Sequence, residues 1–138
     1  MANRGRRPAQ SKDLSEMELD IMGIIWRLGE CTSLQIIQEY CAKRPLAETT
    51  IRTVLANLRR KGYLELAATT AAVYVYRSAV SRESIARRNL RKLVGRLFGG
   101  SPKEAIAYLI EDEDLDEEEI RAIQDLIAAK RGEAKRGD

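Results

Sequence analysis

Apolar positions recur along most of this chain at helical spacing, and the rhythm changes to period two only once. In LSEMELDIMGIIWRLG, residues 14 to 29, Met17, Ile21, Ile24, Ile25 and Leu28 line one face of a first helix. Ser15 and Glu18 have the spacing of a capping box, Leu14 can staple to Leu19, and Gly29 supplies the stop. Trp26 is expected to pack at the edge of that helix. A shorter second helix begins at Thr32, boxed with Gln35, and buries Ile36, Ile37 and Tyr40 before the turn marked by Pro45. The third helix, ETTIRTVLANLRRKG, places Ile51, Val54, Leu55 and Leu58 on one face and closes at Gly62.

After Gly62 the stretches YLELAATT and AAVYVYRS alternate around a small-residue turn near Thr69 to Ala72, the pattern of a β-hairpin. Helical spacing then resumes from Ser81 to Phe98, with Leu90, Leu93, Val94 and Leu97 apolar among many arginines. Gly99 and Gly100 interrupt it. Ser101, Pro102 and Glu104 open a further helix that carries Ile106, Leu109 and Ile110. Asp116, boxed with Glu119 and stapled from Leu115 to Ile120, opens the last one, which runs through Ile123 and Ile127.

Three helices followed by a hairpin form a helix-turn-helix with a wing. The expected fold is therefore mainly α with a small β-hairpin wing: a winged helix-turn-helix N-terminal domain plus a C-terminal helical dimerisation domain. Its expected limits are a disordered basic arm over 1–13, the winged-helix domain over 14–80, the helical domain over 81–130 and a disordered tail over 131–138. Helices below about 12 to 15 residues are marginal alone in water. The seam formed by Leu90, Leu93, Val94, Leu97, Ile106, Leu109, Ile110, Ile120, Ile123 and Ile127 accordingly calls for a lid, and a second copy related by two-fold symmetry is the simplest one.

Charge sharpens this reading. The net charge of +3 divides into +9 over residues 1–100, with 18 Lys and Arg against 9 Asp and Glu, and −6 over residues 101–138, with 6 against 12. A basic body suits a polyanion and an acidic end is repelled by one. The chain has no histidine, and so lacks the usual general base and the commonest metal ligand. No Gly-rich phosphate loop and no nucleophile paired with a base stands out, so no enzyme, cofactor or catalytic residue is expected. The alternating acids Asp112, Asp114 and Asp116 fail as a calcium loop, because Glu117 sits at its glycine position and Ile123 at its bidentate glutamate. Cys31 and Cys41, two in all, are too few for a zinc site. The N-terminus offers no apolar signal segment and no run approaches the roughly 18 residues of a spanning helix, so a cytoplasmic protein without membrane insertion is expected.

The polar face of the third helix holds the candidate chemistry. Opposite its apolar stripe stand Thr49, Thr53, Ala56 and Arg60, flanked by Arg52 and Asn57. A solvated face is normally long-chained and charged, whereas this one is short until it ends in Arg59, Arg60 and Lys61. Short hydroxyl, methyl and amide groups permit close approach to base edges in a major groove, Arg52 suits a guanine or a phosphate, and Arg60 and Lys61 suit the backbone. With Thr50 at the helix start and Tyr76 from the hairpin, these residues form the expected surface for double-stranded DNA. Basic Arg4, Arg6, Arg7 and Lys12 of the arm can also follow a DNA backbone. Two other readings stay open: a winged-helix module that docks an acidic protein, and a nonspecific DNA-coating protein.

The segments LSEMELDIMGIIWRLGECTSLQII, TTIRTVLANLRRKGYLE, VYVYRSAVSRES and LFGGSPKEAIAYLIEDEDLDEEEI together resemble the penicillinase repressor family, which includes methicillin-resistance and CopY-type repressors. The resemblance runs from about Leu14 to Ile127. It implies a homodimeric winged-helix repressor on a palindromic operator, with the third helix in the major groove, the C-terminal helices as the interface and a membrane sensor-protease system as a further partner. The chain departs from the family where β-lactam-responsive members are cut at an Asn-Phe bond, since that position holds Tyr108–Leu109. Its tail also lacks the cysteines of copper-responsive members.

Overall fold

The computed structural model describes residues 13–69 and 73–137. Arg4, Arg6, Arg7 and Lys12 of the basic arm lie outside the described residues, as do residues 70–72 of the hairpin turn. The described chain forms α1 (Glu16–Leu28), β1 (Cys31–Thr32), α2 (Ser33–Cys41), α3 (Glu48–Arg60), β2 (Leu64–Thr69), β3 (Tyr74–Ser78), α4 (Arg82–Leu97), α5 (Pro102–Asp112) and α6 (Glu117–Gly137). It separates into two compact units that meet in sequence at Arg88 and Asn89, inside α4 rather than ahead of it.

The first unit is a winged helix-turn-helix. Ser15 and Glu18 close the capping box of α1, Thr32 and Gln35 close that of α2, and Gly29 ends α1 at φ +82°. Gly62 takes φ +86° after α3, a conformation that costs most side chains a steric clash. The wing is larger than a hairpin. Its strands lie in the order β1-β3-β2, all antiparallel, with Cys31 opposite Tyr76 and Thr32 opposite Val75. Two residues show no period, so β1 exists only because β3 offers it an edge. A register shift between Leu66 and Ala68 bends β2 against β3.

The core of this unit joins all three helices to the sheet. Ile21, Met22, Ile36, Ile51, Leu55, Leu58 and Tyr63 have no exposed surface, and burial on that scale contributes about 1.5–3 kcal/mol for each large aliphatic side chain. Trp26 is half-buried at the edge, where its indole N–H reaches Ser78 Oγ at 3.0 Å and the Val80 carbonyl at 3.2 Å. Those bonds tie α1 to the end of β3. The first two turns of α4 also belong here, because Ile85 is buried in the core and Arg88 donates to the Tyr63 hydroxyl at 2.8 Å.

The second unit is built from the rest of α4 with α5 and α6. Gly99 and Gly100 adopt φ +57° and +83° as α4 ends, and the Gly100 N–H returns to the Val94 carbonyl at 3.0 Å. Ser101 accepts from the Glu104 N–H, but the expected return bond from Glu104 is not among those described, so only half of that box forms. Asp116 and Glu119 form both bonds of theirs. Helix α6 continues to Gly137, past the point at residue 130 where composition suggested a tail. The described side chains from Asn89 onward include none that is fully buried. Leu90, Leu97, Leu109 and Leu126 are each more than half exposed.

Replacing Leu55 by alanine should lower unfolding free energy by about 2–5 kcal/mol. The check is a urea transition whose midpoint falls while its slope stays constant.

Candidate nucleic-acid interface

Helix α3 owes its pose to its apolar side. Ile51, Leu55 and Leu58 are fully shielded, so the residues at the opposite angle must face outward. Thr49, Thr50, Arg52, Thr53, Ala56, Arg59 and Arg60 are all exposed, and Asn57 is half-buried. The open face is thus a strip of three threonine hydroxyls and the Ala56 methyl with guanidinium groups around it. The Thr53 hydroxyl donates to the Thr49 carbonyl one turn back at 2.9 Å, which leaves its lone pairs and methyl facing outward.

The guanidinium groups are not loose. Arg52 donates to Ser33 Oγ on α2 at 3.1 Å, and its other terminal nitrogen lies 3.9 Å from Glu48. That contact links the two helices of the helix-turn-helix through the candidate base-reading residue. Arg59 lies over the ring of Tyr74 with its central carbon 5.9 Å from the centroid, a cation–π arrangement that joins α3 to the wing. Ser33 and Arg59 are absent from the residues expected to touch DNA. Arg59 has a sequence signal in the basic run at the end of α3, and Ser33 has none.

Two expected members of the surface are largely withdrawn from solvent. Tyr76 is only 7% exposed and belongs to the core, while Tyr74, on the same face of β3, is 47% exposed. The two rings meet edge to face at 6.3 Å. The difference is one of position along the strand: Tyr76 stands beside buried Cys31 over the core, and Tyr74 lies toward the turn end of the hairpin, opposite Thr69. Burial raises the Tyr76 phenol above its ordinary value, opposed in part by the nearby Arg59 and Arg52 guanidinium groups.

Lys61 is the second correction. It follows Leu58 by three residues and therefore sits at the inward edge of the helix. Its ammonium donates to both oxygens of Glu18, each at 2.9 Å. The side chains are 21% and 8% exposed, so this cation is committed inside the protein rather than displayed to a phosphate.

In the second unit the structure brings together part of the apolar seam. Ile106, Leu109 and Ile110 of α5 and Ile123 and Ile127 of α6 share a groove of about 570 Å³, completed by Leu115 and Leu126. Leu90, Leu93, Val94, Leu97 and Ile120 are not part of it. Leu90, Leu93, Leu97 and Ile120 are exposed, and Val94 is half-buried. No described helix is long and apolar enough to cross a membrane.

Comparison with known proteins adds the following. The sequence model of the penicillinase repressor family matches residues 14–129. The methicillin resistance regulatory protein MecI of Mammaliicoccus sciuri is 25% identical over 118 residues, covering 86% of this chain and 95% of that protein. The penicillinase repressor of Staphylococcus aureus is 24% identical over 115 residues, 83% of this chain and 90% of its own length. Among solved structures, the DNA-binding domain of the repressor BlaI shares 26% identity, covers 56% of this chain and 88% of that one, and superposes with a TM-score of 0.48.

The two tyrosines of the wing should behave oppositely on truncation. Tyr76→Ala is expected to cost about 3–5 kcal/mol as a core deletion. Tyr74→Ala should cost about 1 kcal/mol or less, the loss of an exposed cation–π contact. Chemical denaturation of both variants checks this.

Proposed function

The chain belongs to the penicillinase repressor family, and from that premise we propose that it is a sequence-specific DNA-binding transcriptional repressor, acting as a homodimer on a palindromic operator in the cytoplasm. The observation that carries the reading is the outer face of α3. Thr49, Thr53 and Ala56 are short enough for the helix to enter a major groove, and Arg52 stands beside them already oriented by Ser33. Arg59 and Arg60 follow at the end of the helix, where the sugar-phosphate backbone would pass.

Repression on this reading is occupancy. The protein performs no chemistry on the DNA; it binds where transcription would begin and withholds the site. Thr49 and Thr53 supply hydroxyl oxygens and methyl groups to base edges, Asn57 supplies an amide, and Arg52 supplies a two-pronged donor for guanine. Phosphate contacts from the arginines add affinity without choosing sequence. The acidic segment Glu111 to Glu119 keeps the second unit away from the polyanion.

A homodimer supports the reading from the other end of the chain. The groove between α5 and α6 and the exposed Leu90, Leu93 and Leu97 leave apolar surface that a second copy would cover, and two copies would present two α3 helices. Half-sites would then lie about one helical turn apart, roughly 34–36 Å. A membrane sensor-protease system belongs to the family resemblance; at the position of the family's cut this chain carries Tyr108–Leu109, on α5.

The direct test is a mobility shift with a duplex selected by the protein from a random pool, against a shuffled duplex as competitor. Preference for the selected duplex is expected; equal binding would leave only nonspecific coating, and no binding would favour the protein-docking module. Arg52→Ala should weaken the selected complex by about 1–3 kcal/mol. In sedimentation, Leu93→Asp should convert dimers to monomers at concentrations where the parent chain stays paired.

A further inference from the structure

The charged cluster where α1 begins and α3 ends is built around one carboxylate. Glu18 is 6% exposed and is the buried charged residue of the described chain. Its Oε1 accepts from the Ser15 N–H at 2.9 Å and from Lys61 Nζ at 2.9 Å, and its Oε2 accepts from the same ammonium at 2.9 Å. A single side chain therefore closes the α1 capping box and holds the C-terminal end of α3. Each charge also suits the helix end it occupies: the carboxylate lies at an N-terminus and the ammonium at a C-terminus.

The two ends of α3 are held differently. Ala47, at its start, provides no side-chain cap, and the first turn is closed by backbone alone. At the other end Lys61 is bonded to Glu18, Gly62 turns at positive φ, and the fully buried Tyr63 returns its N–H to the Leu58 carbonyl at 2.9 Å. The apolar contacts of Ile51, Leu55 and Leu58 fix which side of α3 is buried, but packing of this kind is non-directional. The Glu18–Lys61 contact adds a directed, largely buried restraint at the C-terminal end of α3, where the Arg52–Ser33 bond nearer its start is exposed. Buried ion pairs of this sort add little net stability and are better placed to impose one geometry.

We propose that Glu18 and Lys61 are a positioning pair that fixes the pose of α3, and so determines discrimination between DNA sequences, with Lys61 making no phosphate contact of its own. This rests on the DNA-binding reading above. It separates Lys61 from Arg59 and Arg60, which share its run in the sequence but face outward. The two roles differ in a measurable way. Loss of a phosphate contact weakens binding to all sequences alike and flattens the salt dependence by about 0.9 in log K against log salt. Loss of a positioning contact lowers discrimination and leaves that slope unchanged.

The experiment compares the full-length parent, Lys61→Arg, Glu18→Gln and the double variant Glu18→Gln with Lys61→Met, each titrated with the pool-selected duplex and its shuffled counterpart over a range of KCl. The double variant removes both charges together and so avoids a buried unpaired ion. Glu18→Gln alone keeps an oxygen for the Ser15 N–H. The expected result is a fall of roughly tenfold in the preference for the selected duplex, the scale of one mismatched base pair, with an unchanged salt slope and with Lys61→Arg close to the parent. Thermal melts followed by circular dichroism establish that the variants compared are folded. A flatter slope with parallel losses on both duplexes would make Lys61 a phosphate contact and overturn the proposal, as would full preference retained by the folded double variant. A parent chain that does not prefer the selected duplex would instead overturn the DNA-binding reading on which the proposal rests.

Discussion

Burial of one stripe on α3 is the constraint from which the rest of the first unit follows. Ile51, Leu55 and Leu58 are withdrawn completely from solvent, and a helix that commits one side to a core has no freedom in what it shows on the other. Thr49, Thr53 and Ala56 face outward because the three aliphatic residues face inward. The helix is thus both a wall of the core and the outer surface of the unit. Its polar face can remain short and closely approachable because its stability comes from the buried side.

Around that helix a second tier of contacts orients individual side chains. Ser33 holds Arg52, the ring of Tyr74 lies under Arg59, and Glu18 holds Lys61. The partners come from α2, β3 and α1. The outer two act on exposed groups, whose pairing energies are small in water. Their value lies in reducing the number of orientations each guanidinium samples before it meets a ligand. The inner contact is different in kind, since it removes a cation from the surface.

The second unit shows the opposite economy. Its helices are well capped and well terminated, yet the described side chains from Asn89 onward are nowhere fully buried. Capping fixes where α5 and α6 begin but contributes only about 0.5–2 kcal/mol per helix, and most helical stability comes instead from packing of an apolar face. Apolar side chains of both helices line the groove between them. The acidic run over Glu111 to Glu119 gives this unit a charge opposite in sign to that of residues 1–100.

Much of this was written in the sequence because it is local. Capping boxes at Ser15, Thr32 and Asp116, stops at Gly29 and Gly62, the helical stripes and the period-two hairpin each depend on residues a few positions apart, and all of them appear where the pattern puts them. The direction of the open face of α3 was legible for the same reason. What only the tertiary structure decided depends on residues far apart in the chain. Strand β1 forms where Cys31 meets Tyr76 over the core, while Tyr74, on the same face of β3, lies farther along toward the turn and stays exposed. Lys61 reads as one more cation in a basic run until Glu18, forty-three positions earlier, takes its charge. Spacing determines which face a residue occupies; it carries no information about which distant partner that face will meet, because hydrogen bonding and ion pairing act through space and not along the chain.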